Sequence, residues 1–446
     1  MPNSRVSRRR ALSLGVAAAA LPLVHIRTAG AAGKLSIGFW DHWVPAGNDV
    51  MRAQVQAWGD KNKVAVEADF ITSNGFKNLL TITAEEQAKT GHDIFAFPSW
   101  EVLNHQASLE PMDDVMARLT KQYGPTNEVF EYLCKVKGHW LSVPTSSGTQ
   151  NKGPCGRISV LRDAAGIDVL KMYPASNTRT PEADAWTFDA FLKAAEACQK
   201  VNMGFGIGLG TTADSVDFAG ALFRAFGASL IDSEGNIKVD SAEMHQVLEY
   251  SQKLVKFLPK EAVAYDDASN NRALISGQSA LIFNPPSAWA SAVKDSPKVA
   301  ADCWTFPSPT GPKGRFMPIN IFSFGVWSFG KNKTAAKELI EFLMQRENVE
   351  ARDNVTLGYD LPPFASMNDF KVWEDTGPPK GTVFNYPNKP HHNMKSWLAA
   401  MDGPPEVAVQ IYNRGTMPTM IAKLGSGQSI PQVIAWAKDE LEGFSR

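Results

Sequence analysis

The sequence lacks the cysteine density on which many small exported folds depend. Only four of its 446 residues are cysteines, and no two of them form a C-x-x-C pair. So few cysteines exclude a disulfide-rich scaffold. Cys198 lies in a helical pattern and Cys303 in a strand-like one, which favours buried free thiols. A bridge between Cys134 and Cys155 stays open.

The sequence also lacks the motifs of common enzymes. It contains no G-x-S-x-G, no H-E-x-x-H and no G-x-x-x-x-G-K-[ST]. Residues 208–213 match the dinucleotide fingerprint only loosely and lie in the middle of the chain. His391 and His392 are adjacent, so they project differently, and no obvious third metal ligand accompanies them. The sequence therefore indicates no catalytic residue, no cofactor and no metal, and we expect a protein that is not an enzyme.

A long hydrophobic run is missing as well. The uncharged stretch at residues 11–24 is too short for a membrane-spanning helix, which needs about 20 apolar residues. It overlaps S-R-R-R-A-L at residues 7–12, which is typical of a twin-arginine export signal, and small residues at 29–31 offer a cleavage site. No cysteine follows this stretch closely, so a lipid anchor is not expected. We predict a signal peptide at residues 1–33 and a soluble periplasmic product.

Neither sign of charge dominates the chain. The whole sequence has 45 basic and 46 acidic side chains, and the five arginines of residues 1–33 leave 40 basic against 46 acidic beyond them. A slightly acidic product is a poor partner for nucleic acid or an anionic membrane surface. We therefore expect neither as a partner.

Alternating strand and helix patterns dominate the first part of the chain. Strand-like alternation occurs at residues 35–39 and 64–70, helical spacing at 49–60 and 76–89, and a short buried strand at 94–97. This β-α-β-α-β order predicts a parallel, doubly wound α/β sheet. The 413 residues after the signal are too many for one ordinary core, so two domains are expected.

The loops that leave these strands carry candidate ligand-binding residues. Trp40, Asp41 and Trp43 follow the first strand, and Trp100 and Glu101 follow the third. Ligands of open α/β sheets bind beyond the carboxyl ends of the strands, so these side chains are expected to converge on one crevice. At least one tryptophan should then contact the ligand.

A second α/β region follows a crossover without periodicity at residues 137–156. Strands are predicted at 158–161 and 205–209, and Thr187 and Ser241 are predicted to cap helices. Asp214 lies just past a predicted ligand-side loop. It is a further candidate for hydrogen bonding to a ligand.

Five short motifs, in order along the chain, resemble those of the family-1 extracellular solute-binding proteins of ABC importers, the group that contains maltose-binding protein. They are T-G-H-D-I at 90–94, W-T-F-D at 186–189, S-G-Q-S-A-L with the following N-P-P at 276–286, G-K-N-K-T-A-A at 330–336, and L-G-S-G-Q-S at 424–429. The resemblance covers essentially the whole chain after the signal.

The resemblance implies a type II periplasmic binding protein with two doubly wound α/β lobes joined by hinge crossovers. By that likeness lobe one is residues 34–144 plus 322–365, and lobe two is residues 145–321 plus 366–446. The hinges are expected near Pro144 and at residues 318–322. Ligand binds between open lobes, and closure then buries it.

The resemblance also implies a site and its partners. Carried over position by position, it gives Trp40, Asp41, Trp100, Asn284 and, just after it, Trp289. The expected ligand is a small polar molecule, with a saccharide as the first choice. The expected partner is the membrane permease of an ABC importer, and the binding protein itself is expected to be a monomer. A polyamine or other cation held by cation–π contacts is one alternative, and a secreted carbohydrate-active enzyme is another.

Overall fold

Two β-sheets organise the computed structural model, which describes residues 33–172, 180–266, 268–375 and 394–444. A seven-stranded sheet contains the N-terminal strands, and a three-stranded sheet lies at the centre of the second α/β body. We refer to the body around the first sheet's parallel strands as lobe one, and to the body around the three-stranded sheet as lobe two.

The strands are numbered along the chain. They are β1 Lys34–Trp40, β2 Ala65–Ile71, β3 Ile94–Pro98, β4 Lys135–Val136, β5 His139–Trp140, β6 Val143–Asn151, β7 Pro154–Arg157, β8 Leu281–Phe283, β9 Cys303–Thr305, β10 Thr310–Gly311, β11 Gly314–Val326 and β12 Met394–Trp397.

The α-helices are numbered in the same way. They are α1 Pro45–Asn62, α2 Lys77–Ala88, α3 Glu101–Asn104, α4 Asp113–Tyr123, α5 Glu128–Cys134, α6 Ile158–Ala165, α7 Pro181–Ala185, α8 Phe188–Lys200, α9 Ala213–Phe226, α10 Ala242–Leu254, α11 Ser269–Ile275, α12 Pro285–Asp295, α13 Pro297–Ala301, α14 Lys333–Leu343, α15 Arg346–Val355, α16 Val372–Asp375, α17 Pro405–Arg414, α18 Thr416–Gly425 and α19 Ile430–Phe444.

The predicted parallel sheet of lobe one is confirmed. β1 pairs in parallel with β2 along its whole length and with β3 on its other side. The apolar side chains Leu35, Ile37 and Phe39 are almost fully buried in the lobe-one core. The carboxyl ends of the three strands therefore lie along one edge of the sheet, as the βαβαβ pattern requires.

Two long strands carry the chain between the lobes. β11 pairs antiparallel with β3 at its C-terminal end and with β10 at its N-terminal end. β6 runs antiparallel beside β11, and the register between them shifts between Asn320 and Phe322. Gly148 in β6 has a φ of 87°, and a Cβ there would lie 2.6 Å from the ring of Phe322. The crossovers are thus paired extended strands with an irregularity at the crossing. The boundaries of the lobes at residues 144, 322 and 365 stay a prediction.

Two strand predictions in lobe two are wrong. Ile158 begins helix α6, because the backbone N–H of Ser159 and its hydroxyl both donate to the carboxylate of Asp302, which caps the helix start. The strand of this region is the preceding β7. Phe205 makes only an isolated bridge to Leu281, and the glycines that follow do not continue a strand.

The predicted helix caps are confirmed. The hydroxyl of Thr187 accepts from the backbone of Ala190 at the start of α8, and the hydroxyl of Ser241 accepts from Met244 at the start of α10. Such local signals identify where helices begin even when strand positions are missed.

All four cysteines are buried free thiols. The bridge between Cys134 and Cys155 that the sequence left open is therefore not formed. Cys155 contacts Cys303 instead, and the hydrogen bond with that neighbour, together with burial, raises the pKa of the Cys155 thiol. Of the helices that the structure describes, none combines the length and the apolar composition needed to cross a membrane.

Candidate ligand-binding site

A cleft of about 440 Å³ lies between the two lobes, beyond the carboxyl ends of β1, β2 and β3. The two crossover strands contribute to its base through Gln150, Asn320 and Phe322. Small-molecule sites in proteins commonly have volumes of about 300–1,000 Å³. The cleft therefore has the size of a site for a small ligand.

The lobe-one wall of the cleft is aromatic. Trp40 ends β1, and its ring lies 5.1 Å from the ring of Phe322, with the two planes inclined by 32°. Its indole N–H donates to the hydroxyl of Ser73, which follows β2. Trp43 also lines the cleft and is only half-buried, so it offers more open ring surface than Trp40, which is 7% exposed.

Trp100 joins the lobes more than it faces the cleft. It lines the cleft but is only 1% exposed. Its ring lies 5.6 Å from Tyr132 in lobe one and 5.7 Å from Tyr412 on α17 of lobe two. The hydroxyl of Tyr132 donates to the backbone oxygen of Gly403, 2.7 Å away in lobe two. The lobes therefore touch directly at this edge of the cleft.

Glu101 lines the cleft from lobe one, but its carboxylate is held by its own neighbours. Asn104 donates to one oxygen at 2.8 Å, and Nε2 of His105 lies 3.2 Å from the other. Burial alone would lower the pKa of His105, but the carboxylates of Glu101 and Glu86 outweigh it and raise that pKa. Part of the negative charge of Glu101 is thus compensated from behind.

The lobe-two wall is built around a buried ion cluster, the Lys152 cluster, which consists of Lys152, Asp214 and Asp217. Nζ of Lys152 lies 2.8 Å from Oδ1 of Asp214 and 2.8 Å from Oδ2 of Asp217. The two aspartates are three residues apart at the start of α9, so both reach the same side of that helix. The backbone N–H of Lys152 donates to Pro318 in β11, which fixes its position.

Burial has opposite consequences for the members of the Lys152 cluster. It alone would lower the pKa of Lys152, but the two carboxylates outweigh it and raise that pKa. It raises the pKa of Asp217 to about 6, against the opposing effect of Lys152. Lys152 is therefore charged at neutral pH, and Asp217 gains a proton a little below it.

Amides complete the lobe-two wall. Nδ2 of Asn270 and Nδ2 of Asn284 both donate to Oδ2 of Asp214, at 2.7 and 3.1 Å. Asn284 follows β8 and lines the cleft, as Asp214 does. Both oxygens of Asp214 are therefore engaged before any ligand arrives.

The structure brings together six of the eight candidate residues that were predicted from the sequence. These six, all lining the cleft, are Trp40, Trp43, Trp100, Glu101, Asp214 and Asn284. Asp41 lies outside it, exposed, and accepts from Asn48 at the start of α1. Trp289 also lies outside it, 9% exposed within α12.

Sequence reasoning missed several residues of the cleft. They are Gln150 and Lys152 after the crossover begins, Asn320 and Phe322 in β11, Tyr359, and Tyr412 and Asn413 at the end of α17. The polar composition of the aperiodic stretch 137–156 was the one sequence feature that could have indicated Gln150 and Lys152 as cleft residues. His391 and His392 lie outside the described residues.

Two α/β lobes that are linked by paired crossover strands and enclose a cleft define a solute-binding protein of the type II periplasmic class. A comparison with protein families makes this specific. The chain belongs to the bacterial extracellular solute-binding proteins, because the model of that family matches residues 53–379. The family and fold that the sequence motifs predicted are thereby confirmed.

Solved structures show the same fold. Maltose-bound MalE3 of T. maritima is 17% identical, with a TM-score of 0.71 over 92% of this chain and 99% of that one. A sugar transporter from Arthrobacter chlorophenolicus with bound laminaribiose is 15% identical, with a TM-score of 0.69 over 92% and 99%. At such low identity the likeness concerns the fold.

A curated relative is also similar over part of its length. A probable ABC transporter-binding protein of Deinococcus radiodurans is 25% identical over 155 residues, which are 33% of this chain and 36% of the relative. The match therefore spans about a third of the length of that relative.

Proposed function

We propose that this protein is the substrate-binding component of an ABC importer and captures a saccharide in the cleft between its lobes. The observation that carries the proposal is the pairing of an aromatic wall, with Trp40 and Trp43, against a wall of amide and carboxylate groups, with Asp214 and Asn284. Indole faces cover the apolar faces of sugar rings, while amides and carboxylates bond to ring hydroxyls.

The similar proteins support this ligand and this partner. Two of the solved structures of the same fold contain maltose and laminaribiose, both saccharides. The partial curated relative is described as an ABC transporter-binding protein, and such a protein delivers its ligand to a membrane permease. We extend both features to this chain, and we propose that it works as a monomer.

A ligand panel tests the proposal. Mono- and oligosaccharides, polyols, amino acids and polyamines are each added to the purified protein, and its melting temperature and tryptophan fluorescence are recorded. A saccharide should raise the melting temperature in a concentration-dependent way, because it binds only the folded state. A response to polyamines or amino acids alone would contradict the proposal.

A cationic ligand is the second candidate, because Glu101 and Asp214 both line the cleft beside tryptophans. Both carboxylates are already engaged, Glu101 by His105 and Asp214 by Lys152. The negative charge of each carboxylate is thus partly compensated within the protein. This favours a saccharide over a polyamine.

We also propose that the protein binds its ligand without converting it. A glycosidase needs two carboxylates free to act as acid and base or nucleophile. The oxygens of Glu101 accept from Asn104 and contact His105, and those of Asp214 accept from Lys152, Asn270 and Asn284. Mass spectrometry should recover the saccharide unchanged after prolonged incubation, and a cleaved product would contradict this proposal.

Export to the periplasm through the twin-arginine pathway is proposed from Arg8 and Arg9, which lie outside the described residues. Replacing both with lysine should retain the precursor in the cytoplasm. Unchanged periplasmic yield would contradict the route. The cleaved protein should fractionate with the soluble periplasm, without a lipid anchor.

Closure of the lobes about the paired strands β6 and β11 is proposed as the binding motion. Small-angle scattering should show a smaller radius of gyration when a saccharide that binds is added. The same measurement gives the molecular mass and tests the monomer. An unchanged radius with a bound ligand would contradict closure.

A further inference from the structure

The charges around the cleft are unevenly paired. The described residues that line it include two carboxylates, Glu101 and Asp214, and one cation, Lys152. A third carboxylate, Asp217, does not line the cleft but lies 2.8 Å from Lys152, directly behind it. The acidic groups therefore outnumber the cationic one on the surface that a ligand meets.

Lys152 has little charge left to offer a ligand. Its side chain is 3% exposed, and its ammonium group lies 2.8 Å from each of two carboxylates, which occupy two of its three N–H donors. Among the described lining residues it is the only lysine, arginine or histidine. An anionic group in the cleft would therefore find carboxylates nearby and no unpaired cation.

The other polar groups of the cleft suit an uncharged ligand. Side-chain amides and hydroxyls both donate and accept hydrogen bonds, as ring hydroxyls require. Those that line the cleft include Gln150, Asn284, Asn320, Tyr359, Tyr412 and Asn413.

We propose that the Lys152 cluster makes the cleft selective for saccharides without a negative charge, so that uronic acids and phosphorylated sugars are rejected. Asp217 is the residue that sets this selectivity, because it withdraws Lys152 from the ligand without contacting the ligand itself. This inference rests on the proposed function, since it concerns which saccharides the cleft accepts. Specificity of this kind comes from a penalty on the wrong ligand as well as from contacts with the right one.

Matched pairs of sugars test the selectivity. Calorimetry at pH 7.5 measures glucose against glucuronate, galactose against galacturonate, and cellobiose against cellobiuronic acid. At that pH Asp217 is ionised, because its pKa is about 6. The neutral member of any pair that binds should do so at least tenfold more tightly than its acidic counterpart.

Asp217→Asn tests the residue. The amide has the same shape but no charge, so Asp214 is then the only carboxylate of the cluster that is paired with Lys152. Acidic probes should gain at least tenfold in affinity relative to their neutral counterparts. Asp439→Asn on α19, an exposed aspartate of the same lobe, is the matched control and should leave the ratio unchanged.

A second variant keeps the test decisive if Asp217→Asn also alters packing. Adding Lys152→Gln to Asp217→Asn should abolish the gained affinity for acidic probes, because the released ammonium is then absent. Circular dichroism and thermal melts establish that each variant is folded. If Asp217→Asn does not fold, the wild-type ratio decides the selectivity by itself.

The outcomes separate this inference from the function on which it rests. Binding of an acidic probe by the wild type as tightly as its neutral counterpart overturns the selectivity and leaves saccharide capture standing. An unchanged ratio in folded Asp217→Asn overturns the role of Asp217. If no saccharide of either charge binds, the proposed function itself fails, and the selectivity fails with it.

Discussion

The two walls of the cleft differ in kind. Lobe one contributes aromatic rings, above all Trp40 and Trp43, that follow a parallel strand. Lobe two contributes the Lys152 cluster and its amides, assembled from a crossover, the start of α9 and the end of β8. The lobe-one wall presents aromatic ring faces that discriminate little between ligands. The lobe-two wall presents directional hydrogen-bonding groups and charged groups.

The comparison indicates that one wall contributes mainly to ligand affinity and the other mainly to ligand selectivity. An apolar face binds any ring of suitable shape, since its contribution follows buried area. Hydrogen bonds and charges penalise ligands that leave buried polar groups unpaired. Changes in the two walls should therefore have different consequences, and the following variants test that difference.

The largest effect is expected from Lys152→Met, which breaks the lobe-two wall. It leaves Asp214 and Asp217 buried without their cation. Breaking a buried ion pair costs about 3–5 kcal/mol of unfolding free energy. Urea denaturation at pH 7.5 measures this loss, and Lys438→Met on α19, which removes an exposed lysine, should change stability by no more than about 0.5 kcal/mol.

The pH dependence sharpens this prediction. Burial raises the pKa of Asp217 from its usual 3.8 to about 6 in the folded protein, although Lys152 lowers it. Removing Lys152 should raise this pKa further, so the variant gains more stability from protonation than the wild type does as the pH falls. The loss caused by Lys152→Met should therefore be smaller at pH 5 than at pH 7.5. An equal loss at both values would show that Asp217 does not carry the unpaired charge.

Replacing different tryptophans of lobe one should have different effects on ligand binding and on stability. Trp100→Ala should weaken saccharide binding by about tenfold or more and also lower the unfolding free energy, because its ring is buried between Tyr132 and Tyr412. Trp43→Ala should weaken binding with little loss of stability, since Trp43 is only half-buried. Calorimetry and denaturation of both variants decide this.

Trp436→Ala on α19 is the control for the Trp43 variant, because Trp436 is also half-buried but lies away from the cleft. It should bind saccharide normally. Normal binding by Trp43→Ala and Trp100→Ala together would remove these two tryptophans from the ligand site and leave the ligand class intact.

The two walls also differ in how far the sequence predicts them. Trp40 and Trp100 follow parallel strands whose β-α-β order is visible in the periodicity, so the carboxyl-edge rule finds them. Lys152 and Tyr412 are 260 positions apart and meet only through tertiary packing, and the crossover that holds Lys152 has no periodicity. Asp41 and Trp289 show the converse, since a neighbour in sequence need not face the same cleft.

The strands show the same limit. Within β11 the sequence predicts a hinge, at residues 318–322. The thirteen residues of β11 are buried almost throughout, so they lack the alternation of apolar and polar residues that would reveal the extent of the strand. β11 is one strand that serves both lobes. Pairing with β3 and β6, which lie far away in sequence, decides its extent.

Contact between the lobes should respond to Tyr132→Phe, with an effect of about 1 kcal/mol. The change removes the hydroxyl that donates to Gly403 across the lobes and keeps the ring against Trp100. The ligand-free protein should open further, which small-angle scattering detects as a larger radius of gyration. Saccharide affinity should fall by several-fold, because closure is less favourable. An unchanged radius and affinity would show that this bond does not hold the lobes together.

The smallest effect on stability is expected from replacing His105, which lies behind Glu101 and compensates part of its negative charge. Hydrogen bonds with Glu101 and Glu86 raise the pKa of His105 above its usual 6.5, despite burial. A histidine with a raised pKa contributes stability that is fully present below pH 6.5 and is lost as the pH rises through the folded-state pKa. His105→Gln should therefore be less stable than the wild type by a few tenths to about 1 kcal/mol at pH 6, and the difference should shrink towards pH 9.

Taking the difference in unfolding free energy between the variant and the wild type removes the similar contribution of His92, whose pKa is also raised. Denaturation across this range, together with an NMR titration of His105, measures both quantities. A titration midpoint below 6.5 would contradict the prediction, because Glu101 would then keep its full charge and the lobe-one wall would be acidic as well as aromatic.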